Sequence, residues 1–215
     1  MIKLSKPSKM PCHSWSTEAI YHCPASVDKD GQLVDACKSC YATGGFYQMP
    51  SVKALRQHNA KDWQREEWVD EFVALLDTHR YFRWFDSGDV YHIRLAKKIL
   101  EVMKRTPWVH HWLPTRMYKF GKFLEVLNEM ESLDHVVVRF SSDSITGELV
   151  SGNTTSTIIP DSSYPVGSTT EVCKAYERAG KCGDCRLCWS KDVKTIAYPM
   201  HGAKGLKLIK MRNVA

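Results

Sequence analysis

Eight of the 215 residues are cysteines, and seven of them fall into two groups whose spacing suits metal. The C-terminal group is Cys182-Gly183-Asp184-Cys185-Arg186-Leu187-Cys188, with Cys173 upstream. A C-x2-C turn directs two thiolates at one point. A third thiolate, two residues further on, wraps the backbone around a single centre. Iron–sulfur clusters favour such a run because each iron needs its own thiolate. Structural zinc more often takes two separated C-x2-C knuckles, yet Cys173 and the run supply four sulfurs, so zinc stands as the alternative. The N-terminal group is Cys23 followed by Cys37-Lys38-Ser39-Cys40. Three thiolates on a four-iron cluster leave one iron open, and an open position is what separates catalytic from structural metal sites. Cys12 is available as a fourth N-terminal ligand but reads as a small buried apolar residue.

A second set of residues follows the predicted strands. Phe85 leads into Asp86-Ser87-Gly88-Asp89, Leu113 into Pro114-Thr115-Arg116, Phe140 into Ser141-Ser142-Asp143, and Tyr198 into Pro199-Met200-His201. In parallel α/β architectures ligands bind at the carboxyl ends of the strands, so these groups are expected to share one rim. Turn and capping roles explain each of them singly as well. Arg116 is the candidate partner for a ligand carboxylate or phosphate, with a surface ion pair as its ordinary role. His201 reads as a turn residue with acid–base or metal chemistry available to it. His110 and His111, adjacent in a strand, must point to opposite faces, so at most one reaches a site.

The elements that must position these groups are legible from periodicity. Trp68, Val69, Phe72, Leu75 and Leu76 form one helical stripe. Leu95, Ala96, Ile99, Leu100 and Met103 form a second, closed by Pro107, and a third runs from Tyr118 to Met130. Tyr81–Phe85, Val109–Leu113 and Val136–Phe140 read as strands. Strand, helix, strand, helix, strand predicts parallel pairing with crossover helices. Residues 141–170, rich in Ser, Thr and Gly, read as an extended loop with at most a short strand near Ile158. A short helix is expected over Val172–Arg178 and a last strand over Thr195–Tyr198. The expectation is a single α/β domain of four or five strands with a partial (β/α) barrel-like parallel sheet. It divides into a cysteine-rich segment (1–45), a β/α core (46–143) and a segment carrying the C-terminal cysteines (144–215).

Composition bounds the rest. Hydrophobic residues make up 43% and charged residues 25%, which excludes global disorder. The N-terminus has no apolar stretch of a secretory signal, and no apolar run spans a bilayer, so a cytoplasmic protein without membrane contact is expected. Cysteines there are thiols or metal ligands rather than disulfides. A net charge of +6 and a basic stretch at 204–212 are compatible with a polyanionic partner.

The stretch Cys23-Pro24, Cys37-x-x-Cys40-Tyr41-Ala42, with Phe82-Arg83-Trp84, Asp86-Ser87-Gly88-Asp89 and Cys182-x-x-Cys185-x-x-Cys188-Trp189, resembles the bacteriophage gene product 88 proteins. The resemblance implies a phage origin, hence a host cytoplasm. Cys23, Cys37, Cys40 and Tyr41 also resemble, more distantly, the cluster motif of radical S-adenosylmethionine enzymes. That resemblance implies S-adenosylmethionine at an open iron, Ser87-Gly88-Asp89 holding the cofactor's amino group, and an auxiliary cluster on Cys173, Cys182, Cys185 and Cys188. The first spacing, thirteen residues between Cys23 and Cys37, departs from that motif's three. Two readings result: a 4Fe-4S protein with one or two clusters acting on a small molecule, or a non-enzymatic phage protein stapled by zinc or iron–sulfur that binds nucleic acid or a host protein.

Overall fold

Alternation along the central strands decides the architecture. A computed structural model describes residues 1–201 together with 205 and 207, so the basic stretch at 204–212 lies, but for two residues, outside the described part. The elements in chain order are β1 (His13–Trp15), α1 (Asp35–Lys38), α2 (Pro50–Asp62), α3 (Trp68–Leu75), β2 (Tyr81–Trp84), α4 (Ile93–Arg105), β3 (His110–Thr115), α5 (Gly121–Ser132), β4 (Val136–Ser141), β5 (Thr155–Ile159), β6 (Thr170–Val172) and β7 (Thr195–Pro199). The strands form one parallel sheet in the order β1-β2-β3-β4-β5-β7-β6.

One face of the sheet is covered by helices. Phe82, Trp84, Leu113, Val136, Val138 and Phe140 pack there against Phe72 of α3, Ile99 and Met103 of α4, and Phe123 and Leu127 of α5. Trp15, Trp68, Phe72 and Trp84 form a tight aromatic cluster, with Phe72 and Trp84 stacked at 4.8 Å between ring centres. The intervening residues, Arg83, Trp112 and Arg139 among them, face the other way. Arg139 is fully buried on that face, and its guanidinium donates to the carbonyls of Thr155, Val193, Lys194, Leu187 and Ser190. Five loop and strand carbonyls are thereby tied to β4.

Seven strands stand where four or five are expected. β1 is three residues long and carries no readable alternation. β5 extends the short strand expected near Ile158 back into the Ser/Thr-rich stretch, because β-branched threonines fit a pleated surface and their hydroxyls pair across it. Thr155 and Thr195, side by side on β5 and β7, share a hydrogen bond of 2.8 Å. The helix expected over 172–178 is instead edge strand β6 followed by a single 3-10 turn at Tyr176–Arg178. The Cys173 N–H donates to the Ala197 carbonyl, which draws this segment into the sheet, and Ala179 and Gly180 at positive φ stop the turn. α5 begins at Gly121 rather than Tyr118, after a 3-10 turn at Met117–Lys119. No helix among the described residues is long and apolar enough to cross a membrane.

His111 is wholly buried on the helix side, and His110, on the opposite face with Trp112, is exposed against Tyr81, so neither lines the cavity. Thr106 donates its hydroxyl to the Val102 carbonyl, so His111 Nε2 must be the donor in its 2.8 Å bond to Thr106. The Trp84 indole N–H donates to His111 Nδ1 at 3.2 Å. That leaves no place for a second proton on the ring. Burial pushes the His111 pKa down to about 3, with His135 and His110 adding repulsion. An imidazole whose folded pKa lies below its unfolded value of about 6.5 contributes stability that is present above that pH and lost as pH falls. Urea unfolding measured between pH 6.5 and pH 3 is expected to show this loss, and His111→Phe to flatten the slope while lowering stability at neutral pH. An unchanged slope in the variant counts against the assignment.

Candidate functional site

A cavity of about 520 Å³ lies over the carboxyl-terminal parts of the strands, on the face away from the helices. Residues from the four strand-end groups line it: Asp86 to Asp89, Thr115 and Arg116, Ser141 and Ser142, and Tyr198 to His201. The shared rim expected from the sequence is present. Cys23, Cys37 and Cys40 line the same cavity, and so do Cys173, Cys182 and Cys188.

The turn after β2 is rigidly built. Asp86 is buried, and its carboxylate accepts from Ser14 at 3.2 Å, from Ser16, from Tyr47 at 3.1 Å and from Arg56 at 3.4 Å. Ser87 donates to the Thr17 carbonyl at 2.6 Å and accepts from Arg56 Nε. Gly88 has φ +77°, and a Cβ there would strike the Thr17 hydroxyl and lie 3.1 Å from the Thr17 backbone. Asp89 accepts from Thr115 at 2.7 Å, from the Val90 N–H at 2.7 Å and from the Arg116 N–H at 2.9 Å. Burial pushes the Asp89 pKa up, opposed by these donors. The side chains of Ser87 and Asp89 are thus engaged inside the protein, while the loop itself forms cavity wall. Two non-glycine residues at the wall, Ile20 and Phe85, have φ of +67° and +57°, a conformation costly for a β-branched or bulky side chain.

The long gap between Cys23 and Cys37 is a folded-back hairpin. Val34 N–H donates to the Ser26 carbonyl at 2.9 Å, and Val27 pairs with Leu33. At the tip, Asp28 Oδ1 accepts from the N–H groups of Asp30 and Gln32, both at 2.9 Å. Gly31, at φ +76°, completes the turn. The feet of this hairpin return Cys37 to Cys23. Cys40 follows after one helical turn, its N–H donating to the Cys37 carbonyl at 3.2 Å. The three thiols lie close enough to repel one another when ionised. Burial pushes Cys23 and Cys37 up, with Arg116 acting in the opposite sense on Cys37.

The C-terminal run docks by its backbone. Cys182 N–H donates to the Lys9 carbonyl at 2.8 Å, and Trp189 Nε1 donates to the Phe82 carbonyl at 3.0 Å. Cys185 N–H closes the turn on the Cys182 carbonyl at 3.1 Å, with Gly183 at positive φ. Cys173 acts electrostatically on both Cys182 and Cys188, and Cys185 on Cys182. Cys12 belongs here, not with the N-terminal trio: it packs with Met10, Trp112, Trp189, Cys182 and Cys188. Burial pushes Cys188 up to about 11 and Cys12 up to about 12. None of the eight cysteines is in a disulfide. Among the described residues no three His, Cys, Asp or Glu side chains close on one point at single-ion distance, so holding a metal requires the thiols to draw together and release protons. Soft sulfur donors in two mutually repelling sets are nonetheless a donor set that suits thiophilic metal.

Arg116 already has partners: Asp143 at 3.2 Å and the Ser142 carbonyl at 2.7 Å. His201 stacks between Tyr176, at 4.3 Å, and Tyr41, at 6.4 Å. Arg83, absent from the expected site residues, points into the cavity, and the alternation of Phe82-Arg83-Trp84 is the signal that places it opposite the core.

Fold and site together define an α/β protein with a parallel seven-stranded sheet and a thiol-lined cavity at its carboxyl edge. The chain belongs to the phage gene product 88 family, whose model, described as Gene product 88, matches residues 2–191. No curated protein and no solved structure matches it. The turn after β2 yields a direct check. Gly88→Ala is expected to lower unfolding free energy by more than about 2 kcal/mol, from positive-φ strain plus overpacking. Thr17→Ala in the same chain is expected to recover the overpacking part. Equal stability of Gly88→Ala and the parent in urea would show the turn to be looser than described.

Proposed function

We propose that the chain is an iron–sulfur enzyme acting on a small molecule in the cavity between its two cysteine groups. Cys23, Cys37 and Cys40 would hold a four-iron cluster with one iron open. Cys173, Cys182, Cys185 and Cys188 would hold a second, with Cys12 packed against it. The observation that carries this reading is that both groups open on one cavity at the carboxyl edge of a parallel sheet, where α/β enzymes place their chemistry. A staple needs no such shared space. The sequential order of β1 to β5, with helices on one face, supports a partial-barrel reading. It also supports the likeness to radical S-adenosylmethionine enzymes, and the hairpin that reunites Cys23 with Cys37 accounts for the departure in spacing.

When loaded, an iron with an open position supplies a binding point for a small molecule and one-electron chemistry. The chain's own residues do the rest. The Asp86–Asp89 turn forms a fixed wall beside the trio. Trp112, Tyr41 and Tyr198 give that space an aromatic side. S-adenosylmethionine is the cofactor to test first, and a reducing cytoplasm is the compartment in which these thiols persist.

Purification without oxygen, followed by iron, acid-labile sulfide and zinc assays, tests the reading. Iron and sulfide in comparable amounts are expected. Ala at Cys23, Cys37 and Cys40 is expected to remove one part of both, and Ala at Cys182, Cys185 and Cys188 another. S-adenosylmethionine is expected to change the cluster spectrum of the parent and of the second variant, but not of the first. Zinc at full occupancy without sulfide sinks the proposal and leaves the zinc-stapled reading.

A further inference from the structure

The cavity contains two arginines, and the fold treats them differently. Arg116 is paired with Asp143. Arg83 has no carboxylate partner among the described residues. Its contacts are the Tyr41 hydroxyl at 3.4 Å, the Met10 sulfur at 3.5 Å and the face of Trp112 at 4.4 Å. The first two are long and the sulfur is a weak acceptor. Arg83 Nε is buried with no hydrogen-bond partner. Arg139 has an unpartnered Nε too, but its terminal nitrogens donate to five carbonyls, and Arg56 is taken up by Asp86 and Ser87. Arg83 is half-buried, so its terminal nitrogens reach the cavity while few protein groups meet them, and an oxyanion there gains charge-assisted hydrogen bonds.

The geometry also suits capture. Arg83 and Trp112 are register partners on adjacent strands, so the indole fixes the plane of the guanidinium from the strand beside it. A planar fork held this way presents its edge to an oxyanion. Asp86 attracts Arg83 across the cavity wall but makes no hydrogen bond to it, its oxygens being taken by Ser14, Ser16, Tyr47 and Arg56, while Asp89 is met by three donors. Lys9, over the Tyr176 ring at 4.8 Å, adds a second positive charge to the same wall.

We propose that Arg83 anchors an anion-binding subsite between the two cysteine groups, taking a carboxylate or phosphate oxyanion of the molecule that occupies the cavity. The inference rests on the functional reading above only in that a small molecule enters the cavity, and it requires no metal there.

The test uses the full chain purified without oxygen, titrated at constant ionic strength with inorganic phosphate in one arm and acetate in the other. Amide and arginine Nε–H NMR signals report binding. A saturable shift at Arg83 is expected, absent in Arg83→Gln and retained in Arg94→Gln, an exposed control on α4. Arg83→Lys, which keeps the charge and guards against misfolding, is expected to weaken the response about tenfold by losing the fork. A response to phosphate alone assigns a phosphate ligand, and to acetate alone a carboxylate. No saturable response to either anion, or one that survives Arg83→Gln, overturns the subsite. Equal affinity in Arg83→Lys overturns the guanidinium as its anchor. Iron and sulfide assayed in the same samples separate the two proposals. If Arg83→Gln loses iron while the parent binds neither anion, Arg83 is only a counter-charge for the C-terminal thiols. If anion binding holds with no iron present, the cluster reading fails alone.

Discussion

A carboxylate buried at the end of a parallel strand has to be surrounded by donors, and Asp86 gathers them from segments far apart in sequence. Ser14 and Ser16 come from β1 and its exit, Arg56 from α2, and Tyr47 from the turn between the N-terminal cysteines and α2. Tyr41, next to Cys40, donates to the Asp86 carbonyl. Edge strand, helix and thiol-bearing loop are therefore all hung on one residue. With Arg56 also buried, the pair is a case in which losing either partner strands the other's charge in the interior. The left-handed backbone of Phe85, one residue earlier, persists because this network over-determines the turn.

The sheet divides labour between its faces. Purely parallel sheets are usually covered on both sides by helices or closed into barrels. Here α3, α4 and α5 cover one face, while loops and turns cover the other and carry the cysteines. Such loops bury backbone polar groups that need partners, and Arg139 meets that need by reaching through to the 187–194 segment. The same face therefore hosts two kinds of arginine: Arg139, buried and given over to carbonyls, and Arg83, half-buried with donors that remain available to the cavity.

The middle of the fold was legible in the sequence because its stripes are apolar. β2 to β4 and α3 to α5 follow from Phe72, Ile99, Leu127 and Val136–Val138 at helical or strand spacing. α2 escaped notice because its buried residues are Arg56, Asn59 and Asp62, so its inward face is polar and leaves no apolar stripe. β5 was legible only at its Ile158-Ile159 end, because Ser and Thr dominate the rest, a composition that also marks loops. The strand-end groups were readable as a rim, but their side-chain roles were not: whether Asp89 meets a ligand or Thr115 depends on contacts 26 residues away. Asp28-Lys29-Asp30-Gly31 carried a turn signal that explains the Cys23–Cys37 gap. No local signal joins Cys12 to Cys182, since only the folded sheet brings them together.

The docking of Cys182 on the Lys9 carbonyl, and of Trp189 on the Phe82 carbonyl, has a temporal meaning. Chains emerge from the ribosome N-terminus first, and early segments fold as they appear. β1 to β4 and their helices can assemble while the last strands are still being made. The wall that holds the C-terminal thiols cannot, because residues 173–189 are made late and Cys173 pairs with Ala197 of β7, later still. During that interval the N-terminal thiols stand on an unfinished cavity whose second cysteine group has yet to arrive. The two cysteine groups therefore reach their folded positions at different times.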